Sequence, residues 1–146
     1  MAQSATLAIT HQLAITVGTD EYKLDASSTV SGIGNAVKRQ VTCLTASETT
    51  ILGVGAAIAL GTLSDISFLV IQNVDPTNFC RVRIADTGGM TYDVKIPAGL
   101  YHVLWNKNLS VSATEQAFAA YADLNTVSVQ FDTADGEVIV FAGEPC

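Results

Sequence analysis

The run from Ile66 to Trp105, ISFLVIQNVDPTNFCRVRIADTGGMTYDVKIPAGLYHVLW, is four short stretches of strand-forming residues cut by three turn signals. That rhythm narrows the possible folds more than any other feature of the chain. Ile66 to Val74 is nearly all apolar, as in a strand covered on both faces, and its β-branched and aromatic content favours a strand over a short buried helix. Asp75-Pro76-Thr77-Asn78 supplies a turn, with proline setting φ at its second position, and predicts that the next run folds back beside the first. Cys80, Val82 and Ile84 then alternate with Arg81 and Arg83, which packs one face and leaves the other to solvent or a partner. Asp86-Thr87-Gly88-Gly89 closes a hairpin onto a run in which Tyr92, Val94 and Ile96 alternate with Thr91, Asp93 and Lys95. Pro97-Ala98-Gly99 leads to the fourth strand, Leu100 to Trp105. Strands at spacings of about ten residues mark an antiparallel meander or Greek key, hence an all-β sandwich or jelly roll.

The rest of the chain adds strands to that frame. Residues 5 to 17 alternate over an unusual length, with Ala5, Leu7, Ile9, His11, Leu13, Ile15 and Val17 on one face. Thirteen residues at about 3.3 Å each span roughly 43 Å, well beyond a typical strand. Either a bend divides the segment in two, the preferred reading, or it is an extended N-terminal arm laid along a neighbouring subunit. After a short Tyr22/Leu24 piece, residues 25 to 35 read as a polar, glycine-bearing loop of the kind that contacts partners. Val37 to Leu44 alternates again, and residues 50 to 63 are apolar and rich in glycine, fitting either a tightly packed strand pair or a segment against a neighbouring chain. Residues 114 to 124 (TEQAFAAYADL) form the one candidate helix, capped by Thr114. Val127, Val129 and Phe131 begin a last hairpin that turns at Asp132 to Gly136 and pairs back through Phe141. The expectation is one domain over residues 1–146 with about nine or ten strands.

Composition narrows what such a domain does. Of 146 residues 49% are hydrophobic but only 14% charged, so an ordinary core is affordable and much of the surface is either Ser/Thr/Ala-rich or covered by other subunits. The net charge of −7 opposes a phosphate-binding footprint, and the longest basic patch is Lys38-Arg39. The N-terminus lacks a signal-peptide pattern, and no apolar run reaches the ~18 residues of a membrane helix. The three cysteines, Cys43, Cys80 and Cys146, are widely spaced and form no CxxC pair, as expected of structural thiols in a reducing cytosol.

Chemistry is sparse. His11 and His102 have no Cys, Asp or Glu at metal-ligand spacing, so neither a metal nor a cupin-type ligand set is expected. Asp20, Asp75, Asp86, Asp132 and Asp135 fall in turns and serve turn geometry, no GxSxG elbow is present, and Gly53-Val54-Gly55 lacks a phosphate-loop context. No catalytic residue and no cofactor are expected. Arg81 and Arg83 share one strand face, where they make inter-subunit ion pairs or are solvated. Tyr92, Tyr101 and Trp105 offer stacking surfaces for a carbohydrate or receptor, an alternative function.

Two segments, Gln72-Asn73-Val74-Asp75-Pro76-Thr77-Asn78-Phe79 and Lys95-Ile96-Pro97-Ala98-Gly99, resemble a pattern in small β-rich virion proteins of tailed bacteriophages. There a buried strand ends in such a turn, and a Lys-apolar-x-Ala-Gly turn leads into a later strand. The resemblance spans about 40 residues and implies a structural protein of the particle: a capsid decoration (cement) protein, or a tail, neck or head-fibre component. It further implies a homotrimer on the capsid exterior, made in the host cytoplasm, with the major capsid protein as partner. Candidate subunit contacts are Arg81, Arg83, the arm residues Leu7, Ile9 and Leu13, and Ile33 in the 25 to 35 stretch.

Overall fold

The computed structural model describes residues 5–53, 66, 68–105 and 124–145. Nine strands run through them: β1 (Ala5–Val17), β2 (Asp20–Cys43), β3 (Thr49–Leu52), β4 (Phe68–Asn73), β5 (Cys80–Asp86), β6 (Thr91–Ile96), β7 (Tyr101–Trp105), β8 (Leu124–Phe131) and β9 (Gly136–Pro145). All pairings are antiparallel, and they divide into a sheet of order β1-β2-β9-β4-β7 and a sheet of order β3-β8-β5-β6.

The pairings have a simple logic. β2 pairs with β9, β3 with β8, β4 with β7 and β5 with β6, so the chain is one long hairpin closed at Asp86–Gly89. Additional ladders β4·β9 and β5·β8 roll that hairpin up into two sheets. This nesting is a jelly roll, with β1 added outside it. The core lies between the sheets: Leu69, Ile71, Val138, Val140 and Ala142 from one, Val82, Ile84, Val127, Val129 and Phe131 from the other, all at most 2% exposed.

The all-β class is as the strand rhythm predicts, while several local expectations are corrected. The Asp75–Asn78 turn does not fold β5 back beside β4; it carries the chain from one sheet to the other. The Asp132–Gly136 turn likewise joins strands of different sheets, so β8 and β9 do not pair as a hairpin. Residues 5–17 are one unbroken strand with no bend dividing it, and residues 25 to 35 are not a loop but the middle of β2. Both corrections have one cause: β1 and the first half of β2 hydrogen-bond to each other along their whole length, from Val17 opposite Asp20 to Ala5 opposite Ile33. The cross-strand ladder pairs the β1-facing backbone groups of this stretch and holds it extended. The proposed helix at 114–124 lies outside the described residues except for Leu124, which opens β8.

The sheet-to-sheet corner is held by one buried amide. Asn73 is fully buried at the end of β4, and its Nδ2 donates to the carbonyls of Asn78, at 2.8 Å, and Ile96, at 3.2 Å. Its Oδ1 accepts the Asp75 amide at 3.0 Å, and its own backbone N–H donates to the Leu100 carbonyl. Asp75 Oδ1 in turn accepts the backbone amides of Thr77 and Asn78, at 2.8 and 2.6 Å. Two crossings, β4 to β5 and β6 to β7, are thereby tied at a single residue.

Replacing Asn73 tests this. Asn73→Asp keeps the shape but turns a two-proton donor into an acceptor facing two carbonyls, and is expected to lower stability by about 3 kcal/mol or more. Asn73→Ala should cost ~1–3 kcal/mol. Urea denaturation followed by circular dichroism reads both, and equal losses for the two variants would contradict the donor role.

Candidate functional site

Beyond residue 33 the two halves of β2 do different things. Residues from Asn35 to Cys43 pair with β9 inside the sandwich, residues from Asp20 to Ser31 pair with β1 alone, and Ile33 is opposite both Ala5 of β1 and Pro145 of β9. Gly32, at φ +76°, and an irregularity in the ladder between Ile33 and Asn35 mark the division. Upstream of it the chain is a two-stranded ribbon turned at Gly18, whose φ of +65° suits the two-residue loop Gly18-Thr19.

Residues directly opposite in an antiparallel ladder share a face, so the register sets the chemistry of the ribbon. One face carries Leu13 opposite Leu24, Ile15 opposite Tyr22, and Val17 opposite Asp20; the other carries Gln12, Ala14 and Thr16 opposite Asp25, Lys23 and Glu21. At the ribbon's base the apolar face is partly used. Phe68 points away from the interior that holds its neighbour Leu69, yet is only 1% exposed, in edge-to-face contact with Phe141 at 4.8 Å. Leu7 of β1 and Ile33 of β2 line a cavity with these two rings, so the base of the ribbon lies over the outer face of the larger sheet. A groove of about 260 Å³ runs on between Leu7 and Ile9 above and Val70, Tyr101 and Val103 below. Toward the tip the same face has no cover within the described residues: Leu13, Ile15, Val17, Tyr22 and Leu24 are each about 60% exposed. Five large apolar residues thus lie in one exposed stripe.

The arginines belong to a second, different arrangement. Arg81 Nη2 lies 2.7 Å from Glu48 Oε1 and 2.7 Å from Gln130 Oε1. Arg83 reaches the same Glu48 oxygen at 2.7 Å and grips Asp93 through two hydrogen bonds of 2.8 Å each. The two-pronged bond from Arg83 holds the Asp93 carboxyl below its ordinary range and raises the guanidinium of Arg83. Both charges are thus spent on this chain's own carboxylates, clasping β5, β6 and β8 to the 45–48 connection. These pairs within the chain were in neither of the two sequence-based readings.

Of the six residues predicted as contacts, Leu7, Ile9 and Leu13 share one face of the ribbon, Ile33 is buried at its root with 4% exposure, and Arg81 and Arg83 sit apart in the smaller sheet. Ile15, Val17, Tyr22 and Leu24 were not among them. The signal for these four is a two-residue Gly-Thr loop between alternating runs, which reads as a hairpin once 5–17 and 20–24 are aligned about it. Elsewhere the chemistry is quiet. Among the described residues no cluster of His, Cys, Asp and Glu is placed to hold a metal ion. Burial pushes the thiols of Cys43 and Cys80 up to about 12 and about 11, which leaves both protonated and unreactive at neutral pH. Tyr92 and Tyr101 stand in different sheets and form no common stacking platform. No helix among the described residues is long and apolar enough to cross a membrane. Comparison with known proteins adds nothing further: no protein family, no curated protein and no solved structure matches the chain.

Acid should undo the clasp and the turns together. Asp75 and Asp135, which accept backbone amides of Asn78 and Thr45 respectively, and Asp93 beside Arg83 are all held below the ordinary carboxylate value. A depressed folded-state value gives stability that is complete above the unfolded value, near ~3.9, and is lost as pH falls through the folded values. An Asp93→Asn, Asp135→Asn double variant should melt below the wild type at neutral pH, and the gap in melting temperature should narrow as pH falls below the unfolded-state value near ~3.9. Calorimetric melts across that range check the sign.

Proposed function

We propose that the protein is a non-enzymatic structural subunit of a tailed-bacteriophage particle, a capsid decoration protein that braces the head by bridging major capsid protein subunits. The observation that carries this reading is the ribbon: a long two-stranded extension with an apolar face that the described part of its own chain leaves uncovered. Surface of that kind works by association, through burial of apolar area, and needs no reacting group.

Three further features support it. The two segments that resemble virion proteins, Gln72 to Phe79 and Lys95 to Gly99, meet in space at Asn73, so the resemblance is to one corner of the fold rather than to two separate turns. The jelly roll is an architecture found in capsid proteins as well as in lectins and cupins. A net charge of −7 suits a site outside the shell, away from packaged DNA. In this reading the subunits assemble as a homotrimer, which matches the threefold positions of an icosahedral head, and the protein is made in the host cytoplasm before it joins the virion.

The test is direct. Purified protein mixed with empty, expanded heads that lack it should co-sediment at a fixed stoichiometry, and decorated heads should survive heating that ruptures bare ones. Binding to tails or necks in place of heads would move the subunit elsewhere in the particle. Failure to bind any part of the particle would end the reading.

A further inference from the structure

We infer that β1 pairs edge to edge with β1 of a second copy of this chain, antiparallel across a twofold axis at His11, joining two ribbons into one four-stranded sheet. The contact is made by the edge of β1, not by the faces of the ribbon, and does not depend on a place in a phage particle. β1 is the outermost strand of the larger sheet, so one row of its backbone groups faces β2 and the other has no strand beside it among the described residues. Natural edge strands are kept short, charged or irregular, because an open ladder recruits other strands. The other described edges obey that rule: β3 is four residues with an irregular ladder, β7 is five, and β6 is six residues carrying Asp93 and Lys95. β1 breaks it, with thirteen residues, ATLAITHQLAITV, that include no Asp, Glu, Lys, Arg, Pro or Gly.

Which groups are open follows from the Gly18-Thr19 loop. A two-residue loop makes its flanking residues, Val17 and Asp20, a hydrogen-bonded pair, and such pairs alternate along an antiparallel ladder. Odd-numbered residues from Leu7 to Val17 therefore bond β2, while Thr6, Ala8, Thr10, Gln12, Ala14 and Thr16 aim N–H and C=O at the open edge. The sequence of β1 states what fits there. Leu7-Ala8-Ile9-Thr10 recurs as Leu13-Ala14-Ile15-Thr16 on either side of His11-Gln12. Turned end for end about His11, the strand sets Thr6 against Thr16, Leu7 against Ile15, Ala8 against Ala14, Ile9 against Leu13 and Thr10 against Gln12, like against like. That is the self-complementarity a twofold contact requires. Even residues meet even residues in this register, so the open groups close about twelve hydrogen bonds. A slip of one residue puts apolar side chains on the polar face, and a slip of two sets His11 against Ile9 or Leu13. β2 does not account for the repeat, since Ile9 and Ile15 meet Ser28 and Tyr22 there. On an icosahedral head, where twofold axes relate neighbouring threefold sites, the contact ties one trimer to the next.

Sedimentation velocity, light scattering and cysteine cross-linking of the full chain test the pairing. The wild type should be a dimer, or a multiple of two, at micromolar concentration. Ala14→Pro removes an N–H aimed at the partner and leaves the β2 ladder whole, so it should halve the mass with unchanged circular dichroism. Thr10→Lys with Gln12→Lys sets like charges opposite each other across the axis and should raise the dissociation constant about tenfold or more, whereas Thr10→Lys with Gln12→Glu should restore association. In a Cys146→Ser background, His11→Cys should give a disulfide-linked dimer with oxidised glutathione, because the residues at the axis form a non-hydrogen-bonded pair with Cα atoms about 4.5 Å apart. Leu13→Cys chains, roughly 13 Å from one another, should link only to Ile9→Cys chains in a mixture. Overturning results are a monomeric wild type, a mass indifferent to Ala14→Pro and to the paired lysines, or Leu13→Cys chains that link to one another as readily as His11→Cys chains do. A monomer that still coats heads would sink the pairing and leave the decoration role standing. Dimers linked at position 11 that ignore every part of the particle would do the reverse.

Discussion

The hydrogen bonds of Asn73 are the constraint on which the rest of this architecture depends. A jelly roll needs its chain to leave one sheet and enter the other without stranding backbone groups at the corner, and here two such crossings run side by side. One carboxamide donates to a carbonyl from each crossing and accepts an amide from the turn it begins. Its burial makes these bonds strong and makes any one of them costly to lose, since no water stands ready to replace it. The position of β7 follows from the corner, because the backbone of Asn73 holds Leu100 immediately before that strand. Where Tyr101 lies on the surface is therefore decided about thirty residues upstream of it.

Charge and apolar surface are divided between the two sheets in opposite ways. The smaller sheet keeps Arg81, Arg83, Glu48 and Asp93 in one closed network, so its outer face is polar and internally neutralised. The outer face of the larger sheet carries Phe68, Val70, Val103 and Phe141 and is partly roofed by the ribbon. A free-standing two-stranded ribbon is marginal in water. This one is anchored by the burial of Phe68 at its root and by the continuation of β2 into the sandwich, which makes ribbon and body a single piece of hydrogen-bonded sheet. Its low charge, odd for an exposed element, is the property that a protein–protein contact requires.

Legibility from sequence followed the range of the interaction concerned. The alternation of Cys80 to Ile84 and the turn residues Asp75, Gly89 and Gly99 are local signals, and the strands and turns they announce are present. Residues 25 to 35 read locally as a loop because serine and glycine have low strand propensity, and what holds them extended is β1, a partner that lies beyond the Gly18 turn. The four tip residues were missed for the same reason: a face becomes a patch only when both strands are placed in register. Arg81 and Arg83 were seen as a pair on one face, but Glu48, more than thirty residues away, is not recognisable in the sequence as their partner.

The sequence by itself determined the class of the protein: an antiparallel all-β domain, the rhythm of its central strands, the residues that turn it, and a surface poor in charge. Those features arise from side-chain alternation and from the φ preferences of proline, glycine, aspartate and asparagine, which act within a few residues. Only the tertiary structure decided that the turns at Asp75 and Asp132 cross between sheets, that residues 5–33 form one projecting ribbon, and that its apolar face runs out past the body. A turn signal states that the chain reverses or bends; it does not state which sheet receives the next strand. That choice is made by core burial and cross-strand pairing between residues as far apart in the chain as Ile33 and Pro145.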